Sequence, residues 1–169
     1  MSKFSLPFFL FTLSLSGFSY ADNTLDQDEV DNGWQLIFDG QTLSQWRSYQ
    51  QDSTDDKWQI EDGAITLTSG GGGDLISRNQ YQDFDFKVDW KISEAGNSGI
   101  FILADERKRK IYTNAPEIQL LDNERHYDNK QHDHLAGSLY DMIPSPPSSH
   151  KAAGEWNQTR IRVNDRKLS

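Results

Sequence analysis

The sequence predicts an all-β antiparallel sandwich or barrel, on three observations. Short runs in which apolar and polar residues alternate recur along the chain, which is typical of half-buried strands. Asp-Gly pairs and a glycine run separate these stretches, as turns do. No stretch has helical periodicity over three turns. Strands that follow one another through short turns favour an antiparallel sandwich or barrel.

The strand predictions follow the chain in order. Residues 58–67 form two short runs around Asp62-Gly63, which predicts a hairpin with a primed turn. Residues 84–92 are the clearest strand, because their aromatic and aliphatic side chains fall on one face and Asp and Lys on the other. Three further strands are predicted at 99–103, 117–121 and 156–163.

The first 21 residues have the features of a signal peptide. Lys3 precedes an apolar run broken by Ser and Thr, and Ser-Tyr-Ala supplies small residues ahead of a cleavage point after Ala21. We therefore expect export to the periplasm or the exterior, with a retained membrane anchor as the alternative. Residues 22–32 are acidic and polar and are expected to be a flexible leader. Residues 33–169 are expected to form one domain.

Composition excludes several classes of protein. The chain has 169 residues, no Cys and a net charge of −9, so it has neither a disulfide framework nor a lipid-modified Cys. An acidic chain does not attract phosphate backbones, and the basic cluster at 107–110 is expected to be a solvated loop tip. We expect no nucleic acid partner and, after signal cleavage, no membrane partner. The oligomeric state is left open.

The chain ends inside a strand pattern. Residues 162–169 have the pattern of a strand, a turn and the start of another strand. A sandwich that stopped there would leave a strand edge unpaired. We therefore expect a truncated domain whose C-terminal strands are missing from this chain.

Two polar side chains stand out on the strand at 117–121. Glu117 and Gln119 are two residues apart, so they project from one face of the strand, opposite Ile118 and Leu120. A carboxylate beside an amide suits recognition of sugar hydroxyls, and the carboxylate could also act as a general acid or base. The alternative is an ordinary solvated strand face.

The segment 122–141 is a long polar loop with three of the four His residues. Such a cluster could ligate a divalent metal, and His132-x-His134 is suggestive. No familiar spaced metal motif is present, however, and a long polar loop is commonly just solvated. A cofactor is therefore not assigned. A two-carboxylate glycosidase is disfavoured, because the strand at 117–121 carries one acid on the groove face, although Asp89 or Asp141 could supply a second.

Five motifs in order resemble the 3-keto-disaccharide hydrolase family. They are GWQLIFDGQTLSQWR, DFDFKVDWKISEAGNSGIFI, EIQLLDN, HLAGSLYDMIP and GEWNQTRI, which together span about residues 33 to 166. The resemblance implies a concanavalin A-like jelly-roll sandwich, bacterial export and a carbohydrate substrate. It also implies cleavage of glycosides whose C3 hydroxyl has been oxidised to a ketone, through C2 proton abstraction, β-elimination at C1 and hydration.

The resemblance also implies catalytic roles for three residues. Glu117 matches the EIQ strand and is the expected base or acid. His134 and Tyr140 match the HxAGSLYD motif and could supply an acid or a hydrogen bond to the enolate.

Three further positions are implied to bind substrate. Gln119 would hold sugar hydroxyls or the ketone oxygen, and Asn97, in a predicted NSG turn, would orient the sugar. Asp122 could contact the substrate, ligate a metal or only stabilise a turn. A non-catalytic carbohydrate-binding module of the same fold is the alternative to an enzyme, and an inert structural domain is a third hypothesis.

Overall fold

The computed structural model describes residues 23–146, 149–165 and 167–169. The predicted signal peptide and its cleavage point lie outside these residues. The described chain is nearly all β. Its elements are helix α1 (Gln27–Asp31) and strands β1 (Trp46–Ser48), β2 (Trp58–Glu61), β3 (Ala64–Leu67), β4 (Leu75–Ser77), β5 (Phe84–Trp90), β6 (Asn97–Phe101), β7 (Glu117–Leu121), β8 (Asn157–Asn164) and β9 (Lys167–Leu168).

Every strand pair in the described residues is antiparallel. The pairs are β1 with β4, β2 with β3 and β6 with β7, while β8 lies between β5 and β9. The longest pairing runs from Phe84 opposite Val163 to Trp90 opposite Asn157. These pairings confirm the predicted antiparallel all-β class.

Two layers enclose the core. The apolar faces of β5 and β8 pack against those of β6 and β7, because alternation places one apolar side chain in every two on the inner face. One buried cluster consists of Ile102, Ile118, Ile161 and Val163, and a second consists of Trp90, Leu120, Leu121 and Ala136. The outward residues of β8 are exposed Gln, Arg and Asn, as the alternating pattern predicts.

The predicted hairpin forms as expected. In β2 and β3, Trp58 lies opposite Leu67 and Glu61 opposite Ala64. Asp62 and Gly63 between them have φ of 49° and 73°, the left-handed conformation that a primed two-residue turn requires. The hairpin therefore agrees with the sequence in its register and its turn.

The predicted turn at Asn97 is wrong. Residues 97–99 are the start of β6, which begins two residues earlier than the sequence predicts and ends at Phe101. Asn97 pairs with Leu121, and the backbone N–H of Asp122 donates to the carbonyl of Gly96 at 3.0 Å. The pairing with β7 therefore draws this segment into the sheet, although Asn and Gly are common in turns.

A short helix lies in the segment predicted to be a flexible leader. Asp26 and Glu29 form a capping box at the start of α1, with each side chain bonded to the other's backbone. Glu29 also pairs with Lys87 of β5 at 2.7 Å, and the Lys87 ammonium lies over the Trp34 ring. These contacts hold residues 26–34 against the outer face of the sheet. Among the described residues, no helix is long and apolar enough to cross a membrane.

Candidate active site

Strand β7 lies at the centre of the candidate site because it is paired along both edges. Strand β6 pairs with one edge. On the other edge, Gly137 N–H donates to the carbonyl of Gln119 at 2.8 Å and Tyr140 N–H donates to that of Glu117 at 2.9 Å. Residues directly opposite in such a pairing have neighbouring side chains on the same face. The pairing therefore sets Tyr140 beside Glu117.

Glu117 is the central group of this site. Its side chain leans across Gly99 of β6, where a Cβ would collide with the carboxylate oxygen and lie 2.7 Å from the carboxyl carbon. The missing side chain at Gly99 therefore makes room for the carboxyl group. Desolvation, together with the charges of Asp74 and Asp128, raises the pKa of Glu117 to about 7. Near neutral pH such a carboxyl can either take or give a proton.

Beside Glu117 lies a cluster of four side chains, the Asp128 cluster, formed by Asp128, His134, Tyr140 and Asp141. The hydroxyl of Tyr140 donates to one oxygen of Asp128 at 2.9 Å, and His134 Nδ1 lies 2.9 Å from the other oxygen. His134 Nε2 lies 2.7 Å from Asp141. The imidazole ring stacks on the Tyr140 ring with centroids 4.2 Å apart.

The hydrogen bonds of the Asp128 cluster fix its charges. Desolvation alone would lower the pKa of His134, but its hydrogen bonds to Asp141 and Asp128 outweigh it and the pKa is raised. Desolvation would likewise raise the pKa of Asp128, but the hydrogen bonds with His134 and Tyr140 leave it lowered. Desolvation and the neighbouring carboxylates raise the pKa of Tyr140 to about 12. These shifts favour the ionised form of Asp128, the neutral phenol of Tyr140 and the protonated form of His134.

The structure brings the three predicted catalytic residues together, whereas the predicted substrate-binding residues are spread out. Gln119 shares a strand face with Glu117 but is only 1% exposed, and its backbone is bonded to residues 137 and 138. Its side-chain oxygen accepts a hydrogen bond from the Leu120 backbone. Gln119 is thus buried in this structure, and its role in binding substrate stays a prediction. Asn97 is exposed at the far end of β6.

Asp122 stabilises the start of the loop that follows β7. Its carboxylate accepts hydrogen bonds from the backbone N–H groups of Ala95 at 2.8 Å and Glu124 at 3.0 Å. These bonds lower the pKa of Asp122. The side chain is 2% exposed and also contacts Arg125 at 3.4 Å. Of the alternatives left open by the sequence, this arrangement supports the structural turn.

Two carboxylates near Glu117 were not singled out from the sequence. Asp128 lies in a polar loop and Asp74 directly follows the glycine run, and the charges of both raise the pKa of Glu117. Asp74, although exposed as a residue, has a raised pKa from partial burial of its carboxyl group. Asp89 was a candidate for a second acid, but it is exposed on the outer face of β5 and bonded to Gln158. Only a map of contacts across the chain could have selected Asp74 and Asp128.

The sequence does not decide whether the loop 122–141 binds a divalent metal ion. Within the residues that the structure describes, no three His, Asp or Glu side chains converge in a way that could hold a metal ion. Both ring nitrogens of His134 already face carboxylates. The side chains that the structure describes offer no donor set that fits a metal ion, and no step of the reaction proposed below is routed through one.

An antiparallel β-sandwich with a half-buried glutamate beside a Tyr-Asp-His cluster defines a candidate acid–base enzyme domain. The sequence matches the 3-keto-alpha-glucoside-1,2-lyase-like domain over residues 33–169. The chain therefore belongs to this family, which confirms the resemblance stated from the motifs.

One curated relative is the 3-keto-disaccharide hydrolase of Bacteroides thetaiotaomicron. It is 42% identical over 153 residues, which cover 78% of this chain and 53% of the relative. The chain thus spans about half the length of that relative.

Two crystal structures from Parabacteroides distasonis, both described as candidate glycosyl hydrolases, are similar to this chain. One is 26% identical with a TM-score of 0.78, over 88% of this chain and 71% of the other. The second is 28% identical with a TM-score of 0.55, and the match covers 75% of this chain and 50% of the other. The first of these matches supports the sandwich architecture over most of the chain.

Proposed function

We propose that this protein is an exported enzyme that cleaves 3-keto-glycosides, among them 3-keto-disaccharides. The observation that carries the proposal is Glu117, a half-buried carboxyl group with a pKa of about 7 beside the Asp128 cluster. Family membership and the name of the Bacteroides relative support the substrate class. Export is proposed from the signal-peptide features of residues 1–21 alone.

In the first step, Glu117 acts as the base. A ketone at C3 acidifies the hydrogen on C2, because the resulting carbanion is delocalised onto the ketone oxygen as an enolate. The Glu117 carboxylate takes this proton and becomes a neutral acid. A pKa close to the working pH suits both halves of this exchange.

In the second step, the enolate expels the leaving group from C1. The C1–O bond breaks, a C1–C2 double bond forms, and the departing oxygen needs a proton. The protonated Glu117 can return the proton that it has just taken, so one residue can serve as base and then as acid. Water then adds across the double bond, with its hydroxyl on C1 and a hydrogen on C2, and the net reaction is hydrolysis.

We assign stabilisation of the enolate to His134. Its Nε2 lies 2.7 Å from Asp141, whose side chain is 69% exposed, while the other ring nitrogen faces the less exposed Asp128. When Nε2 carries a hydrogen, the ketone oxygen of a substrate could displace the exposed carboxylate and accept a hydrogen bond from it. The raised pKa of His134 favours the protonated ring, and a hydrogen-bond donor aimed at a developing oxyanion stabilises it electrostatically.

The experiment compares a chromogenic 3-keto-glucoside with the unoxidised glucoside, using this chain and any longer natural form of the protein. We expect release from the keto substrate only. The Glu117→Gln variant should lose about 10²- to 10⁴-fold in turnover and still bind the sugar, because a general base contributes about that much. Release from both substrates would refute the elimination mechanism. Binding without release by the unmodified protein would instead indicate a carbohydrate-binding module.

A further inference from the structure

Two carboxylates, those of Glu117 and Asp128, lie near the hydroxyl of Tyr140. Glu117 lies opposite it in the pairing between β7 and residues 137–140, and Asp128 lies on the loop that precedes this segment. The structure assigns the hydroxyl hydrogen to Asp128, at 2.9 Å. Glu117 receives no hydrogen bond from a described side chain.

The choice between the two acceptors matters for the chemistry of Glu117. A hydrogen bond donated to a carboxylate stabilises its charged form and makes it a weaker base. A phenol bonded to Glu117 would also have to be displaced before the carboxylate could approach a C–H group. A hydrogen held by Asp128 imposes neither cost.

We propose that Asp128 is a positioning residue that holds the phenolic hydrogen of Tyr140 away from Glu117 and so keeps the Glu117 carboxylate free to act as a base. This inference rests on the proposed function, in which Glu117 abstracts the proton. Asp128 contacts Tyr140 and His134 and acts on the substrate only through them and through Glu117.

The surroundings of Asp128 hold it in place for this role. Its second oxygen lies 2.9 Å from His134 Nδ1, and its own backbone N–H donates to His126 Nδ1 at 3.2 Å. The stacking of His134 on Tyr140 fixes the plane of the phenol ring. A carboxylate with one partner on each oxygen has little freedom to rotate, so the direction of the phenolic hydrogen is set by the whole cluster.

The charged and titratable groups around Glu117 act in the same direction. Burial is the largest cause of its raised pKa, followed by the negative charges of Asp74 and Asp128. Tyr140 responds in turn to Glu117, Asp128 and Asp141, which all favour the neutral phenol. Asp128 therefore keeps Glu117 basic both by its charge and by removing a hydrogen-bond donor.

The test is the Asp128→Asn variant in the otherwise complete chain. The Asn amide has one accepting oxygen where the carboxylate has two, so Tyr140 and His134 compete for it and the phenol becomes freer to turn to Glu117. We expect the ionisation midpoint of Glu117, followed by NMR of carbon-13-labelled glutamate carboxyls, to fall by about one pH unit. The acid limb of the kcat/KM profile should move by the same amount and kcat should fall while KM changes little. Asp133→Asn, in the same loop, is the matched control.

A second variant separates the effect of the hydrogen from the effect of the charge. In a Tyr140→Phe background no phenolic hydrogen remains, so Asp128→Asn should move the Glu117 midpoint less than it does alone. Equal shifts in the two backgrounds, or no shift in either, would overturn the proposal.

The single variant Tyr140→Phe provides a test even if Asp128→Asn does not fold. It should leave the Glu117 midpoint nearly unchanged, whereas a clear rise would show that the phenol donates to Glu117 and would overturn the inference. The NMR titration needs no turnover. A chain that cleaves no keto-glycoside would therefore refute the proposed function without deciding the role of Asp128.

Discussion

Glu117→Gln should stabilise the protein, and the gain should depend on pH. The pKa of Glu117 is raised from its ordinary value of 4.5 to about 7. Below the ordinary value the carboxyl is neutral in the folded and unfolded chain and has no effect. As the pH rises from about 4.5 to about 7, the unfolded chain loses this proton first, so the free energy of unfolding falls. Above about 7 the penalty is complete.

The size of this penalty follows from the rise in pKa. A rise from 4.5 to about 7 corresponds to about 3 kcal/mol of free energy. Glu117 is half-buried, and the side chain can relax toward solvent when it ionises, so we expect about 1–3 kcal/mol in practice. Gln has nearly the same shape as Glu and does not ionise. The difference in unfolding free energy between the variant and the unmodified chain should therefore grow by this amount between about pH 4 and about pH 8.

Urea denaturation across this pH range measures the effect, with the five Trp residues as the fluorescence signal. Titration of the groups that do not interact with Glu117 is common to both proteins and cancels in the difference. Glu61→Gln, at an exposed position on β2, is the matched control for the substitution itself. A difference that stays constant with pH would refute the reasoning, because it would mean that folding leaves the pKa of Glu117 unchanged.

Two further substitutions test the packing of the site and of the core. Gly99→Ala should lower kcat/KM at least about tenfold with little loss of fold, because the new Cβ displaces the flexible carboxyl end of Glu117, and misplacement of a reacting group is costly. Gly70→Ala, where a Cβ meets nothing within 4 Å, is its control in the same activity assay. Ile161→Ala should lower the free energy of unfolding by about 2–5 kcal/mol in urea, because Ile161 is fully buried between the layers. Leu67→Ala, at an exposed position, should cost far less, and similar losses for both would contradict this core.

The strands could be predicted because their pattern is local. In β5 every second residue is apolar, and in β8 the alternating buried positions include Ile161 and Val163, which pack in the core with Ile102 and Ile118. The hairpin turn is likewise predicted by two adjacent residues, Asp62 and Gly63, of which Gly adopts positive φ at no steric cost. Patterns of period two and turn pairs need no information from the rest of the chain.

The candidate site was only partly predictable because its contacts are not local. The motifs selected Glu117, His134 and Tyr140, and the structure places them together, although their roles stay predictions. Nothing in the sequence distinguishes Asp128 from the other carboxylates of the same loop, because an irregular loop has no periodicity to show which side chains point inward. Asp74 is farther still from Glu117 in sequence, and only the fold brings its charge near.

The different exposures of the Glu117 and Gln119 side chains show what the alternating pattern cannot predict. Alternation places both side chains on one face of β7, but whether a side chain on that face is buried depends on what packs over it. Gln119 lies mid-strand between Gly99 of β6 and Ser138 of the segment on the other edge, and only 1% of it is exposed to solvent. Glu117 is the first residue of the strand and has an intermediate exposure, unlike the buried residues that follow it. That intermediate exposure desolvates the carboxyl enough to raise its pKa, and the proposed role of Glu117 as a base requires a carboxyl that is neither fully solvated nor fully buried.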